Sequence, residues 1–230
     1  MRNLSALLFT GGLAFLLFAI ASTLALGNPP MLVGQEILTR AGDEVGAANI
    51  VTSVLLAYRG LDTLGELSIL FAAATAAGLV LGRRNPDALP DAEAGLILRA
   101  GGDLLFPLLL TVGLFVILHG HLTPGGGFQG GVVLAAAFFV AVLVRPGMGL
   151  NHTAISVIEG LAGAGFILIG LWALFADGEF LKPLLIEHGA IGQLVSAGTL
   201  PLLSLAVGLK VGSELAGLMA ALSDTEAREP

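Results

Sequence analysis

Residues 57–70 read AYRGLDTLGELSIL, and their three charged side chains, Arg59, Asp62 and Glu66, stand alone in an apolar run from position 46 to position 82. A charge in the middle of a bilayer costs at least about 2.5–3.5 kcal/mol on insertion scales. Residues that carry such a cost face a water-filled cavity or one another, and by default they mark an ion or proton path. The stretch therefore points to a polytopic membrane protein that handles ions.

Composition agrees. The chain has 230 residues, 56% hydrophobic and 12% charged, with a mean hydropathy of +0.94. Soluble domains are about 25% charged. The 33 glycines suit close approach of transmembrane helices. The absence of cysteine removes disulfides, thiolate metal sites and iron–sulfur ligation. No basic patch interleaved with aromatics occurs, which argues against nucleic acid.

A spanning helix needs about 20 apolar residues. Residues 4–26, 64–81, 96–118, 130–144, 155–175 and 191–209 supply six candidates. For the first, a cleaved signal peptide is the alternative, with Arg2 as its basic end. Residues 35–45, with Glu36, Arg40, Asp43 and Glu44, read as a solvated loop. Residues 46–57 are apolar but too short to cross, and three readings stay open: interfacial, re-entrant, or the first half of a broken helix. The expected fold is all-α, with six spans and this short segment. Placing the N-terminus inside puts Arg2, Arg83, Arg84, Arg99, Arg145, Lys210 and Arg228 on the cytoplasmic side, as the positive-inside rule requires. Both termini are then cytoplasmic. The polar, Pro-containing residues 83–93 (RRNPDALPDAE) divide the chain into parts 1–92 and 93–230.

On one helix, Arg59, Asp62 and Glu66 would share a face at i, i+3 and i+7. Arg59 and Asp62 can pair, and Glu66 could take up a proton or a cation. The alternative is a pair that anchors a helix end at the membrane surface. A second motif, LHGHLTPGGGFQGG, fills 118–131 between two spans. Pro124 with Gly125, Gly126 and Gly127 cannot continue a helix, and Phe128 opens the next span. Gly127 and Gly131 stand at a helix-contact spacing. No Lys-Ser/Thr follows the glycines, so this is not a phosphate loop. His119 and His121, two apart, point in different directions on a helix, which disfavours a metal site and leaves a titrating or hydrogen-bonding role. Asp103 is explained by Arg99 at i−4, and Lys210 with Glu214 by an i, i+4 pair just past the last span. On that reading no Lys lies mid-membrane. Glu159 is either a carboxylate favoured by a helix N-terminus or an ion-path residue.

The motifs resemble a known family. HGHLTPGGGFQGG is similar to the signature of the B subunit of the multisubunit Mrp/Mnh Na⁺/H⁺ antiporters, and to the related membrane subunit of energy-converting hydrogenases. This likeness covers about 93–230. NIVTSVLLAYRGLDTLGEL, at 49–67, resembles the C-terminal end of the large antiporter A subunit, which corresponds to a small separate E-type protein in membrane-bound hydrogenases. Tyr58 stands where that family often has Phe, and Ala57 where it often has Asp; the RG-x-DTLGE core is intact. The resemblance implies a fused E-type and B-type subunit in the plasma membrane, working within a complex of large antiporter-like and small membrane subunits. By resemblance, Arg59, Asp62 and Glu66 are pathway residues and Pro124, Gly125, Gly126, Gly127 and Phe128 the B-type loop. It implies Na⁺ and H⁺ as transported ions, with no cofactor. A membrane-arm subunit of a redox-driven pump is the competing expectation, and a purely structural spacer the third.

Overall fold

Apolar stretches of this length fold as helices because a bilayer leaves backbone groups no other partner. The computed structural model describes residues 2–23, 31–81, 94–145, 150–185 and 190–226. The interdomain segment 83–93, with Arg83 and Arg84, and Arg228 lie outside the described residues. Eight α-helices are described: α1 (Arg2–Thr23), α2 (Leu32–Val45), α3 (Ile50–Ser53), α4 (Gly60–Leu81), α5 (Leu96–Leu118), α6 (Gly127–Val144), α7 (His152–Asp177) and α8 (Leu200–Glu226). A π-helical segment, Val54–Tyr58, joins α3 to the start of α4. No strand occurs among the described residues. Among the described residues, six helices are long and apolar enough to cross a membrane, so the expected all-α, six-span fold holds.

Residues 1–36 and 37–230 form two compact units. In the second, α8 packs against α4, α5, α6 and α7, and α5 packs against α6. Half of the α8 span window is buried inside the chain, against 6% for α4. α8 is thus the axis of the unit, and most of α4 faces surroundings beyond this chain. The core gathers Leu200, Leu203, Val207 and Val211 of α8 with Phe166 of α7, Leu67 of α4 and Leu181.

Glycine sets the closeness of α6 and α8. A Cβ on Gly127 would lie 2.6 Å from Ser204 O and from Val207 Cβ, and one on Gly131 would lie 2.7 Å from Gly208 O. The four-residue spacing of Gly127 and Gly131 is thus a seam against α8, the device by which small residues let transmembrane backbones approach.

Three expectations need correction. Residues 35–45 are not a loop but belong to α2, with Ala41 and Val45 buried. The charges at 40, 43 and 44 alternate with those two at helical spacing, so they form a polar face rather than a break. The last span does not run over 191–209: residues 190–199 make turns, with Gly192 and Gly198 at positive φ, and α8 starts at Leu200. Pro201 belongs to its first turn, where a missing N–H costs nothing. Thr199 closes the preceding loop, its N donating to Leu184 O at 3.1 Å and its Oγ1 accepting from Leu184 N at 3.2 Å. Lys210 and Glu214 consequently lie within the span Leu200–Met219 and not past its end. Finally, Asp103 accepts two hydrogen bonds from Arg145 Nη2, at 2.7 and 2.9 Å, which ties α5 to the end of α6.

Candidate functional site

The three charges of the first motif do not share one continuous helix. Arg59 sits at the break between the π-helical segment and α4, with φ −127° and ψ 31°, while Asp62 stands in the first turn of α4. The pair forms all the same: Arg59 Nε donates to Asp62 Oδ2 at 2.6 Å, and Nη2 approaches the same oxygen. The side chains are 67% and 54% exposed within the chain. Glu66, one turn further along α4, is also exposed. The short segment 46–57 is therefore the first piece of a broken helix. Thr63 Oγ1 reaches across the break to donate to Leu55 O at 2.7 Å, satisfying a carbonyl loosened by the π turn.

The glycine loop is bound to the front of that broken helix. Gly125 and Gly126 have φ +147° and +138°, a backbone conformation that only glycine takes without strain. Gly126 Cα would be 2.5 Å from a Cβ on Gly120, so the loop folds back onto the end of α5. Asn49 Nδ2 lies 2.7 Å from Gly120 O, 2.9 Å from Thr123 O and 3.0 Å from Thr52 Oγ1. Thr52 Oγ1 donates to Gly120 O at 2.6 Å, and Asn49 N donates to His121 O at 2.9 Å. Asn49 Oδ1 meanwhile caps α3 by accepting from Val51 N at 3.1 Å. Backbone groups as far as 74 residues along the chain thus meet at one side chain. Phe128 packs against the buried core; Pro124 is exposed. Asn49→Ala is expected to lower stability by about 1–3 kcal/mol, since the part-buried Thr123 O loses its Asn49 donor while Gly120 O keeps Thr52. Asn49→Asp, which keeps the cap acceptor but sets a carboxylate against the same carbonyls, should cost at least as much in a thermal melt of the purified complex.

The two histidines diverge. His119 stacks on Phe115, ring centroids 4.1 Å apart, with Nδ1 3.1 Å from Phe115 O. His121 is fully buried, and neither ring nitrogen has a partner of good hydrogen-bond geometry among the described residues. Burial is the main cause that holds its pKa below the usual 6.5; backbone groups of Gln193, Leu194 and Leu118 oppose it weakly. A depressed folded-state pKa means that the folded chain binds fewer protons than the unfolded chain once pH falls below the unfolded value. The His121 contribution is therefore complete above about pH 6.5 and is lost as pH drops through that value towards the folded one, at up to about 1.4 kcal/mol per pH unit. His121→Phe should flatten this acid slope in melts taken between about pH 7.5 and pH 5.

Glu159 is neither at the end of its helix nor alone. α7 begins at His152, capped by Asn151 Oδ1 accepting from Ala154 N at 3.1 Å, so Glu159 lies two turns in. It faces Lys210 Nζ at 3.3 Å, and the same ammonium donates to Glu214 Oε1 at 2.5 Å. The side chains of Lys210, Glu159 and Glu214 are 13%, 21% and 2% exposed. Lys210 Nζ also sits 5.0 Å from the centroid of the Phe71 ring on α4. The expectation that no Lys lies mid-membrane is overturned. The local i, i+4 pair accounts for Lys210 and Glu214, and nothing in their spacing announces Glu159, 51 residues away.

Two family models match the chain. Residues 97–217 match a domain related to the MnhB subunit of Na⁺/H⁺ antiporter, and residues 2–92 match MbhE, the E-type component of MBH. An uncharacterised protein of Methanocaldococcus jannaschii is 33% identical over 199 residues, 75% of each chain. Among solved structures, a chain of the membrane-bound sulfane sulfur reductase, an archaeal respiratory membrane complex, superposes with a TM-score of 0.79 at 36% identity, covering 96% of this chain and 97% of that one. A chain of the Mrp complex from Dietzia superposes with a TM-score of 0.71 at 29% identity over 98% of this chain, which spans 27% of that longer one. With six apolar helices and a domain match over more than half its length, this multi-pass membrane protein belongs to the family defined by the MnhB-related antiporter domain.

Proposed function

We propose that the chain is an integral membrane subunit of a multisubunit Mrp-type antiporter that exchanges a monovalent cation, Na⁺, for protons. The observation that carries this reading is the MnhB-related domain across residues 97–217. The chain is a fusion in which residues 1–92 supply an E-type segment and residues 93–230 a B-type domain. It lies in the plasma membrane with both termini cytoplasmic, among large antiporter-like and small membrane subunits. Arg59, Asp62, Glu66 and Glu159 contribute to the ion path, and His119, His121 and the loop Pro124, Gly125, Gly126, Gly127 and Phe128 support it. The break at Arg59 favours this assignment, because broken helices line ion sites in transporters. The exposure of Asp62 and Glu66 within the chain directs them to a path completed by a neighbouring subunit.

Exchange in everted vesicles carrying the whole complex tests it. Glu66→Gln should cut Na⁺/H⁺ exchange at least about tenfold, the equivalent of about 1.4 kcal/mol, while the complex still assembles. Unchanged exchange would reduce the cluster to an anchor.

A second reading, a membrane-arm subunit of a redox-driven ion pump, is favoured by one observation: the sulfane sulfur reductase chain matches this one nearly end to end. Iron–sulfur proteins co-purifying with the chain, or encoded beside it, would decide for that reading.

A further inference from the structure

Two carboxylates share one ammonium at the centre of the α4, α7 and α8 junction. With all three groups ionised the cluster carries one uncompensated negative charge. Glu214 is 5% exposed, and its Oε2 is buried without a hydrogen-bond partner among the described residues. A buried, ionised oxygen with no donor is costly, whereas a protonated carboxyl becomes a donor itself. The lysine is held in place: its stem passes Gly163, where a Cβ would touch Cδ at 3.4 Å, and its head rests over Phe71.

Glu159 and Glu214 line a cleft of about 210 Å³. α4 brings Phe71, Thr75 and Gly78 to it, and no titratable group. α7 brings His152, Ser156 and Glu159, at i, i+4 and i+7 along one face. α8 brings Ser213 and Glu214, the latter held by Lys210 Nζ. His152 is exposed at the helix start. The face therefore runs from the N-terminal end of α7 inward over two turns, about 10 Å, to the carboxylates.

We propose that this cleft is a proton-loading site in which Glu214 and Glu159 share one proton around Lys210, reached from the N-terminal end of α7 past His152 and Ser156. Uptake of the proton takes the cluster from a net charge of −1 to neutral, and release reverses it. The site's existence is independent of the antiport assignment; only its use in transport rests on it.

Infrared difference spectroscopy of the purified complex, titrated in H₂O and D₂O without Na⁺, tests the site directly. The wild type should show a deuterium-sensitive carboxylic acid band near neutral pH, equivalent to one proton per chain. Glu214→Gln should remove it. Glu159→Gln should remove it too, because a single remaining carboxylate balances the ammonium. A band that survives both substitutions, or is absent from the wild type, overturns the proposal. Because the readout is proton occupancy, a complex that shows the band without exchanging ions retracts the antiport reading and leaves the site standing. One that exchanges ions without the band retracts the site alone.

Discussion

Lys210→Met is expected to be among the most damaging side-chain substitutions in this chain. Lys210 Nζ serves Glu214 at 2.5 Å and Glu159 at 3.3 Å, in a cluster where Glu214 is almost wholly buried. Removing one partner of a buried ion pair costs about 3–5 kcal/mol, because the other charge is stranded. Here Glu159 and Glu214 would both lose their common donor. The thermal midpoint of the detergent-purified complex should fall accordingly. The same substitution in an E159Q/E214Q background should cost much less, since replacing a whole buried ionic group by neutral ones is often close to neutral. Equal losses in the two backgrounds would show that Lys210 acts apart from the carboxylates, through its stem on Gly163 and its head over Phe71.

Gly130→Val should prevent α6 from seating at all. A Cβ at position 130 would lie 2.4 Å from Ile117 Cγ1, 2.7 Å from Gly113 O and 3.0 Å from Ile117 N. Two of these are backbone atoms of α5 and cannot rotate away. Ordinary overpacking costs about 1–3 kcal/mol, and a clash with backbone exceeds that range. Membrane accumulation of the protein and its recovery with partner subunits should both collapse. Gly165→Val is the control, because a Cβ there meets nothing within 4 Å in this chain. Normal accumulation of the Gly130 variant would mean that α5 and α6 do not approach this closely in the membrane.

Most of the fold is legible in the sequence, because hydropathy over 20-residue windows reports the one property that a bilayer selects. The Arg59–Asp62 pair is legible for a different reason: three residues apart, the two groups meet whether or not the helix is continuous. Punctuation is harder to read. Pro201 marks the start of α8, yet a hydropathy window weighs it against its apolar neighbours and starts the span too early, at 191 instead of Leu200. The charges of α2 read as a loop when polarity is weighed without its period. The buried Lys210 cluster is hidden by a sufficient local explanation. Once Glu214 accounts for Lys210, nothing calls for a third member on another helix. Asp103 behaves in the same way, its partner Arg145 lying 42 residues on. Which polar side chains meet between helices is set by packing, and their spacing along the chain does not announce it.

Asn49 holds the glycine loop with a few short polar bonds, a contact of the kind that would be weak by itself between separate molecules. The residues that match MbhE and those that match the MnhB-related domain lie in one polypeptide, so the contact forms at an effective concentration set by the intervening segment, typically millimolar for a short tether. An interface with only millimolar affinity is then occupied for much of the time. The Asn49 contact therefore need not bind strongly by itself, since Leu56 and Leu67 also pack with α8 in a common apolar core, and the two parts are delivered in a fixed one-to-one ratio.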